Sequence, residues 1–306
     1  MTVIGVRSAF KDIGLRPRDP LCKARKGNTQ PMPMDEYKAA NLAMWDETVD
    51  IHYGSDFYGV ERFKAGETTL EDLERPEMGS VDGKSLLHLQ CHFGMDTLSW
   101  GREGATVTGL DYSPAAIEAA RRLSKESGVP GRFIESELYD APNVLDEKLD
   151  IVYTGIGAIC WLPDIRGWAK VVSHFLKPGG VFYILEGHPM LWTLEDDTPE
   201  TPMHIRWPYF ETEKPQNPEG WDNDEDYAQT GKKMKNTCTY NWGHGLGEIV
   251  TALIDEDLRI EFLHEHKVCA WQAYPWMVEG DDKMWRVPNY PERLPLMWSI
   301  RAVKEA

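Results

Sequence analysis

The sequence predicts an α/β fold, a doubly wound and mostly parallel sheet with helices on both faces. Two features favour this prediction. Short apolar runs such as Leu86 to Leu89 have the composition of strands buried on both faces, and they alternate with helical segments as far as residue 186. The first two runs are joined by a sharp turn and a short helix, and the second ends in Asp111. That order is typical of a mononucleotide-binding βαβ unit.

Two segments precede this unit. Residues 1–34 form a basic N-terminal arm with seven Lys or Arg and two Asp. Such an arm is either a solvated extension or a strap over its own domain or a neighbouring subunit, and both alternatives stay open. Residues 35–80 predict a helical cap, with one helix over 35–45 and a second over 70–78.

The later elements continue the alternation. Ser113 and Pro114 are a favourable helix start, with serine as the N-cap and proline in the first position, and Gly128 ends that helix. We expect strands at 86–89, 105–110, 133–137, 149–154, 181–186, 259–266 and 294–303, and helices at 96–103, 115–127, 164–175 and 245–258.

A long insertion follows the fifth strand. Residues 188–243 contain six prolines, several tryptophans and an acidic patch at 221–227, without regular alternation. A structureless segment of this length inside a compact domain is usually functional, so we expect a lid or a substrate wall. Residues 81–306 are therefore predicted to be one domain that carries a substrate-covering insertion.

Composition narrows the classes of function. The net charge is −17, which repels phosphate backbones and disfavours a nucleic-acid partner. The five cysteines include no C-x-x-C pair, which predicts reduced thiols of a cytoplasmic protein rather than a disulfide frame or a zinc site. No apolar stretch approaches the length of a membrane span, and the N-terminus lacks the apolar run of a signal peptide.

Residues 85–111 resemble the first motifs of the class I, Rossmann-like S-adenosylmethionine-dependent methyltransferases. The family's first motif, acid-x-Gly-x-Gly-x-Gly, corresponds here to His88, Gln90, His92 and Gly94, of which only the last keeps the family residue. Later blocks follow in the family's order, namely LDYSPAAIEAARRL, RFIESELYDAP, LDIVYTGIGAICWLPD and HFLKPGGVFYILEGH. The resemblance covers residues 45–303. It implies a seven-stranded sheet and S-adenosylmethionine as the cofactor.

The predicted cofactor residues lie in the cap and at the strand ends. Asp111 ends the second strand, where a carboxylate can accept two hydrogen bonds from a ribose diol. The resemblance adds a helical cover over the cofactor and a pair of residues that meet the adenine edge. The set is Trp45, His52 and Tyr58 in the cap, Gln90, Cys91, His92, Gly94 and Met95 in the first turn, Asp111 and Tyr112, Glu137 and Leu138 at the adenine, and Thr154 and Gly155. No metal site is expected, because His92 has no further ligands at useful spacing.

Candidate acceptor residues follow from the same rule that ligands lie beyond the carboxyl ends of parallel strands. Aromatic faces suit a sulfonium or ammonium group, and a carboxylate suits an amino group. The set is Tyr153, Trp161, Glu186, Trp192, Tyr240, Trp242 and His244. His188 is the best placed catalytic base if the acceptor must lose a proton, although it could instead bond to backbone.

The sequence thus predicts a methyltransferase that acts on a small molecule. An amino-acid-like acceptor methylated on sulfur or nitrogen, for example methionine, is the narrow hypothesis, and a natural-product hydroxyl is the rival. Two other classes stay in view: an NAD-type oxidoreductase, which the glycine-poor turn contradicts, and a cofactor-binding protein without catalysis. Whether the chain forms a homodimer stays open.

Overall fold

A computed structural model describes residues 34–194, 204–212, 214–215, 221–222, 228, 230–289 and 291–305. The predicted basic arm, apart from Met34, lies outside these ranges. Most of the acidic patch of the insertion does as well. The division of the chain into arm, cap and domain therefore stays a prediction.

A seven-stranded sheet forms the centre of the molecule, with strand order β3-β2-β1-β4-β5-β7-β6. The first five strands are parallel, and β7 is antiparallel to both of its neighbours. This arrangement confirms the predicted fold class. The strands are β1 Ser85–Leu89, β2 Thr106–Asp111, β3 Arg132–Glu135, β4 Leu149–Thr154, β5 Leu176–Gly187, β6 Leu258–His266 and β7 Met297–Lys304.

Eight helices lie among the described residues. The side chain of Ser113 accepts a hydrogen bond from the amide of Ala116, so α5 begins as its sequence predicts. The helices are α1 Met34–Tyr53, α2 Val60–Lys64, α3 Glu74–Met78, α4 Met95–Arg102, α5 Pro114–Ser127, α6 Ala141–Val144, α7 Ile165–Phe175 and α8 Leu246–Asp255.

Helix α1 is longer than predicted. It continues through Thr48, Val49 and His52, which are all buried. Because the buried positions include the polar residues Asn41, Thr48 and His52, the helix lacks the apolar stripe that marks an amphipathic helix. The sequence therefore indicated only its first part.

Two apolar layers cover the sheet. Val152 and Phe182 on one face pack with Trp168 of α7. On the other face Tyr153 and Tyr183 pack with buried residues that include Trp100 of α4. The covered faces leave the carboxyl ends of β1 to β5 as the edge where a ligand site can form.

Two further observations bear on the composition. Cys91, Cys160 and Cys269 are free thiols. Cys238 is disulfide-bonded, so the expectation of a reduced thiol is wrong at that position. Among the described helices, none is long and apolar enough to cross a membrane.

Candidate active site

Asp111 lies at the carboxyl end of β2, nearly buried beneath the turn that follows β1. Its Oδ2 accepts a hydrogen bond from the amide of His92 at 2.8 Å, and its Oδ1 accepts one from the amide of Ser113 at 3.0 Å. Burial raises the pKa of the carboxyl to about 6, against the lowering effect of these amides. A carboxylate has about four acceptor sites, so Asp111 can bind a further donor on each oxygen.

The turn after β1 has the backbone of a glycine-rich loop although two of its positions are not glycine. Gln90, His92 and Gly94 have φ values of 58°, 50° and 80°. These are left-handed conformations, which cost free energy in residues that carry a Cβ. The three glycine positions of the first motif are therefore kept in conformation, and only one of them is kept in sequence.

An aromatic cluster covers this turn. The ring of Trp45 lies 5.3 Å from that of His92 and 5.2 Å from that of Trp161, and His52 stacks on Tyr58 at 4.8 Å. His52 and Tyr58 also lie within 5.6 Å of the His92 ring. The three predicted cap residues thus converge on the first turn. Trp161, predicted on the acceptor side, lies with them.

Several polar atoms around the turn are buried and have no hydrogen-bond partner among the described residues. They are Oε1 of Gln90, Nε2 of His92 and Oγ1 of Thr154. Buried polar atoms are nearly always satisfied in native proteins. A polar ligand bound at the turn could complete the hydrogen bonding of these three atoms.

Other predicted cofactor residues line the same edge. Glu137 accepts from the amide of Tyr139 at 2.7 Å and from Nζ of Lys38 at 2.9 Å. Leu138 and Met95 are buried, and Tyr112 is partly exposed. The thiol of Cys91 is buried, which raises its pKa and leaves it a poor nucleophile.

The side chain of Tyr153 points into the core and not towards Asp111 at the carboxyl ends of the strands. Its ring is fully buried against the α3 side of the sheet, and its hydroxyl donates to Oε1 of Glu74 at 2.5 Å. Burial, together with Asp96, raises the pKa of Glu74 to about 8. Only the hydroxyl of Tyr153, which lies beside Gly155, could contact a substrate as predicted.

Glu186 is occupied by backbone. Its carboxylate accepts from the amides of Gly157 at 2.8 Å, Ala158 at 3.1 Å and Gly187 at 2.7 Å. Burial raises its pKa to about 7 although these amides lower it. The carboxylate fixes the loop after β4, and the contacts give no support for its predicted role in binding an amino group.

His188 also has both ring nitrogens engaged. Nδ1 accepts from the amide of Met190 at 3.0 Å, so the proton lies on Nε2, which contacts Oε1 of Glu265 at 3.0 Å. The side chain is buried, and burial lowers its pKa. His188 therefore links β5 to β6 across β7, and the geometry gives no support for the predicted general base.

The remaining acceptor candidates, Tyr240, Trp242 and His244, lie at the C-terminal end of the insertion. Tyr240 and Trp242 pack with Tyr37 of α1, and the amide of Trp242 donates to the carbonyl of Cys160 at 2.8 Å. Nε2 of His244 contacts the carbonyl of Leu162 at 2.8 Å. This segment closes the site between α1 and the loop after β4.

Trp192 lies apart from the others. Its ring stacks on that of Trp271 at 6.1 Å, over Gly187 at the end of β5. The structure therefore does not bring Trp192 together with Trp45 and Trp161.

The sequence analysis missed four residues of the site. Lys38 binds Glu137, Asn41 bonds the backbone of Tyr240, and Asp46 accepts from the hydroxyl of Ser113 at 2.5 Å. Positions 38, 41, 45 and 52 recur at helical spacing, so they share one face of α1. This stripe of polar and aromatic residues could have shown, from the sequence alone, that one face of α1 belongs to the site. The fourth, Asp96, gave no comparable signal.

Among the ranges that the structure describes, no group of three or more His, Cys, Asp or Glu could hold a metal ion. The side chains on the edge are instead carboxylates, amides and aromatic rings, which suit a polar organic ligand with a planar base.

Comparison with known proteins gives a consistent result. Residues 87–182 match the family model of a methyltransferase domain. A ubiquinone biosynthesis O-methyltransferase of Proteus mirabilis is 27% identical over 158 residues, which cover 46% of this chain and 64% of that protein. The chain spans less than two thirds of the length of the curated relatives that it matches first.

Solved structures match over more of the chain. An S-adenosylmethionine-dependent methyltransferase from Mesorhizobium loti has a TM-score of 0.51 at 20% identity and covers 79% of this chain and 100% of that one. The DhpI complex with SAH has a TM-score of 0.51 at 14% identity and covers 89% of this chain and 99% of that one. At these identities the structures show a common fold.

Proposed function

The chain is a class I, Rossmann-like methyltransferase by its domain and its fold, and from that premise we propose that it transfers the methyl group of S-adenosylmethionine to a small-molecule acceptor. The observation that carries this proposal is the group of residues that meets at the carboxyl ends of β1, β2 and β4. There Asp111, the left-handed turn and the aromatic cluster of α1 meet.

The residues present fit this cofactor. Asp111 keeps acceptor capacity for a ribose diol, and Glu137 and Leu138 lie one strand further along, at the end of β3. The unpaired atoms of Gln90, His92 and Thr154 offer partners for polar groups of an adenosyl ligand. Trp45 and His92 supply aromatic surface near the same place.

The protein's contribution to catalysis is mainly to hold the reactants in line. The bound cofactor supplies an electrophilic methyl group on a good leaving group, so alignment and exclusion of water matter most. Trp45 packs on His92 of the first turn and on Trp161, and Glu186 fixes the loop after β4. Alignment of this kind can be worth on the order of 7 to 11 kcal/mol.

Two classes of acceptor follow. A thioether acceptor such as methionine is favoured by the engagement of both nitrogens of His188, since a thioether needs no base, and the aromatic surface suits a thioether or an amine acceptor. A hydroxyl acceptor is favoured by the relatives that are named O-methyltransferases. It would need a base, and the contacts of His188 give no support for that residue in this role.

Product analysis tests the proposal. Purified protein is incubated with methyl-labelled S-adenosylmethionine and, separately, with an amino-acid panel and a panel of phenols and hydroxy acids. We expect S-adenosylhomocysteine to form together with one mass-shifted product, and the panel that yields the product decides the acceptor class. Binding of S-adenosylhomocysteine without turnover on any panel would instead support a non-catalytic, cofactor-binding protein.

A further inference from the structure

Asn241 is a buried asparagine whose amide nitrogen has no hydrogen-bond partner among the described residues. It lies near the C-terminal end of the insertion, and only 6% of the residue is exposed. Its Nδ2 is buried as well and donates to none of those residues. An unpaired buried donor costs free energy, and most such groups in native proteins are satisfied. The amide of Asn241 is therefore available to a group that the described chain does not supply.

Asn41 provides a contrast within the same part of the molecule. It is 2% exposed, and its side chain donates to the carbonyl of Tyr240 and accepts from the amide of Tyr240, both at 2.8 Å. Asn41 therefore has the hydrogen bonds that a structural asparagine needs. Asn241 follows Tyr240 in the chain and has no such bond at Nδ2, so the segment does not depend on that atom for its hydrogen bonding.

The backbone on either side of Asn241 is held by other contacts. The amide of Trp242 donates to the carbonyl of Cys160 at 2.8 Å. The rings of Tyr240 and Trp242 both contact the ring of Tyr37, at centroid distances of 4.6 and 6.2 Å. Position 241 thus lies between two anchored residues. Its amide is placed before a ligand binds, which lowers the cost of binding.

The side chain of Asn241 lies against the loop after β4. Its amide is next to the thiol of Cys160, and Glu186, at the end of β5, acts on the same thiol. Burial raises the pKa of this thiol, so it keeps its hydrogen, and its Sγ donates to the carbonyl of Gly157 at 3.7 Å. The sulfur of a thiol is only a weak acceptor. Cys160 therefore does not satisfy the amide of Asn241.

The order of the strands places Asn241 away from the ribose. Asp111 ends β2 and Glu186 lies at the end of β5, and β1 and β4 lie between those two strands. Neighbouring strands are about 4.8 Å apart, so the two strand ends are roughly 14 Å apart along the edge. A nucleoside with its ribose at Asp111 and its base towards β3 extends in the opposite direction. The donor of Asn241 is therefore left to the other reactant.

We propose that Nδ2 of Asn241 donates a hydrogen bond to a neutral oxygen of the methyl acceptor, a carbonyl or a hydroxyl, and so selects acceptors that carry this group. The inference rests on the proposed function. An uncharged amide suits an uncharged oxygen, whereas a carboxylate in this place would lie near the carboxylate of Glu186. An acceptor without the oxygen would leave the buried amide unpaired in the complex, which is a physical basis of strong discrimination.

Urea denaturation of two matched variants tests whether the amide is kept for a ligand. Asn41→Ala and Asn241→Ala remove the same atoms from two buried positions. We expect a lower urea midpoint than that of the wild type for Asn41→Ala, which loses two hydrogen bonds. For Asn241→Ala we expect a midpoint equal to that of the wild type or above it, because Nδ2 has no bond to lose.

Turnover of paired acceptor probes tests the selectivity. Methioninamide and 3-(methylthio)propylamine carry the same thioether with and without a neutral carbonyl, and catechol and phenol carry the same hydroxyl with and without a second one. In the pair that is methylated, we expect the wild type to favour the oxygen-bearing member by at least about tenfold in kcat/KM and Asn241→Ala to reduce this ratio to about one. Asn143→Ala, at an exposed site on α6, should keep the ratio of the wild type. By calorimetry, Asn241→Ala should bind S-adenosylhomocysteine within about twofold of the wild type.

The outcomes separate this inference from the proposed function. If S-adenosylhomocysteine does not bind the wild type, the proposed function fails, and the role of Asn241 fails with it. If it binds the wild type but Asn241→Ala weakens it by about tenfold, or leaves the acceptor ratio unchanged, the acceptor role is wrong while the cofactor assignment stands. If no probe is methylated, the urea comparison decides, and a midpoint of Asn241→Ala that falls as far as that of Asn41→Ala overturns the inference.

Discussion

Gln90 and His92 hold the left-handed backbone of the first turn, where a glycine would cost less. Each gives something that glycine cannot. Nε2 of Gln90 donates to the carbonyl of Ala158 at 3.0 Å and ties the first turn to the loop after β4, and His92 contributes its ring to the aromatic cluster. The strain at these two residues is therefore offset by contacts that shape the site.

Two substitutions at Gln90 separate the cost of its left-handed backbone from the contribution of its side-chain hydrogen bond. Gln90→Gly and Gln90→Ala both lose the bond to Ala158, but only the glycine is free of the left-handed penalty. We expect the glycine variant to be more stable than the alanine variant by about 1 kcal/mol. Urea denaturation measures the difference.

A helical position supplies the control for Gln90. At Lys125, exposed on α5, the order should reverse, with alanine more stable than glycine by about 1 kcal/mol. Equal stability of the two Gln90 variants would contradict the assigned backbone strain.

The sequence predicted which residues end the strands. It did not predict the direction in which their side chains point. Asp111 could be placed from the sequence because it ends an apolar run before a helix. Tyr153 and Glu186 also end strands, but their side chains meet Glu74 and the amides of residues 157 and 158. Those partners are distant in sequence or belong to a loop, and no local pattern encodes them.

Helix α1 is the element on which closure of the site depends. One face of it supplies Lys38 to Glu137, Asn41 to Tyr240 and Trp45 to the aromatic cluster. Its Glu47 accepts from the amides of Lys235 and Asn236, both at 2.8 Å. The helix therefore joins the end of the insertion to the edge of the sheet.

Asn41→Ala tests whether α1 holds the end of the insertion in place. The Asn41 side chain donates to the carbonyl of Tyr240 and accepts from its amide, both at 2.8 Å. We expect the variant to lose about 1 to 3 kcal/mol of stability, since buried backbone groups are left unpaired. Amide exchange in residues 238–242 should become faster, as followed by mass spectrometry. Asn143→Ala, at an exposed site on α6, should leave both quantities unchanged, and unchanged exchange in the Asn41 variant would show that the joint is not held this way.

At the scale of the molecule, the strands of the parallel sheet were predictable and the closure of the site was not. Buried parallel strands give continuous apolar runs, and these determined β1, β2, β4 and β5. The buried face of α1 includes the polar side chains of Asn41, Thr48 and His52, so its hydrophobic periodicity is weak. The burial of Asp96 could not be recognised either, because its hydrogen-bond partner, Thr69, lies far from it in the sequence.

The buried acids give the whole protein a distinctive pH dependence. The pKa of Glu74 is raised to about 8 by burial, so unfolding releases its proton and stability falls as pH rises towards 8. The histidines whose pKa burial lowers act in the opposite sense, and part of their effect is still present at pH 6.5, where half of the unfolded histidines are protonated. From pH 6.5 to 8, we expect the contribution of Glu74 to fall by roughly 1.5 kcal/mol.

Urea denaturation at pH 6.5 and 8 measures this change. Glu74→Gln mimics the protonated acid, so its stability should fall less over the interval than that of the wild type. Glu118→Gln, at an exposed site on α5, should behave like the wild type. If the difference in stability between the wild type and Glu74→Gln is the same at both pH values, Glu74 does not retain its proton.

The central claim is that an adenosyl cofactor lies along the carboxyl ends of the strands with its ribose at Asp111. Titration calorimetry of S-adenosylhomocysteine and methylthioadenosine against the wild type, Asp111→Asn and the control Asp146→Asn tests it most directly. Both ligands contain the ribose, so we predict that Asp111→Asn weakens both by at least about tenfold while the control binds like the wild type. Affinities equal to those of the wild type in the Asp111 variant would contradict the account.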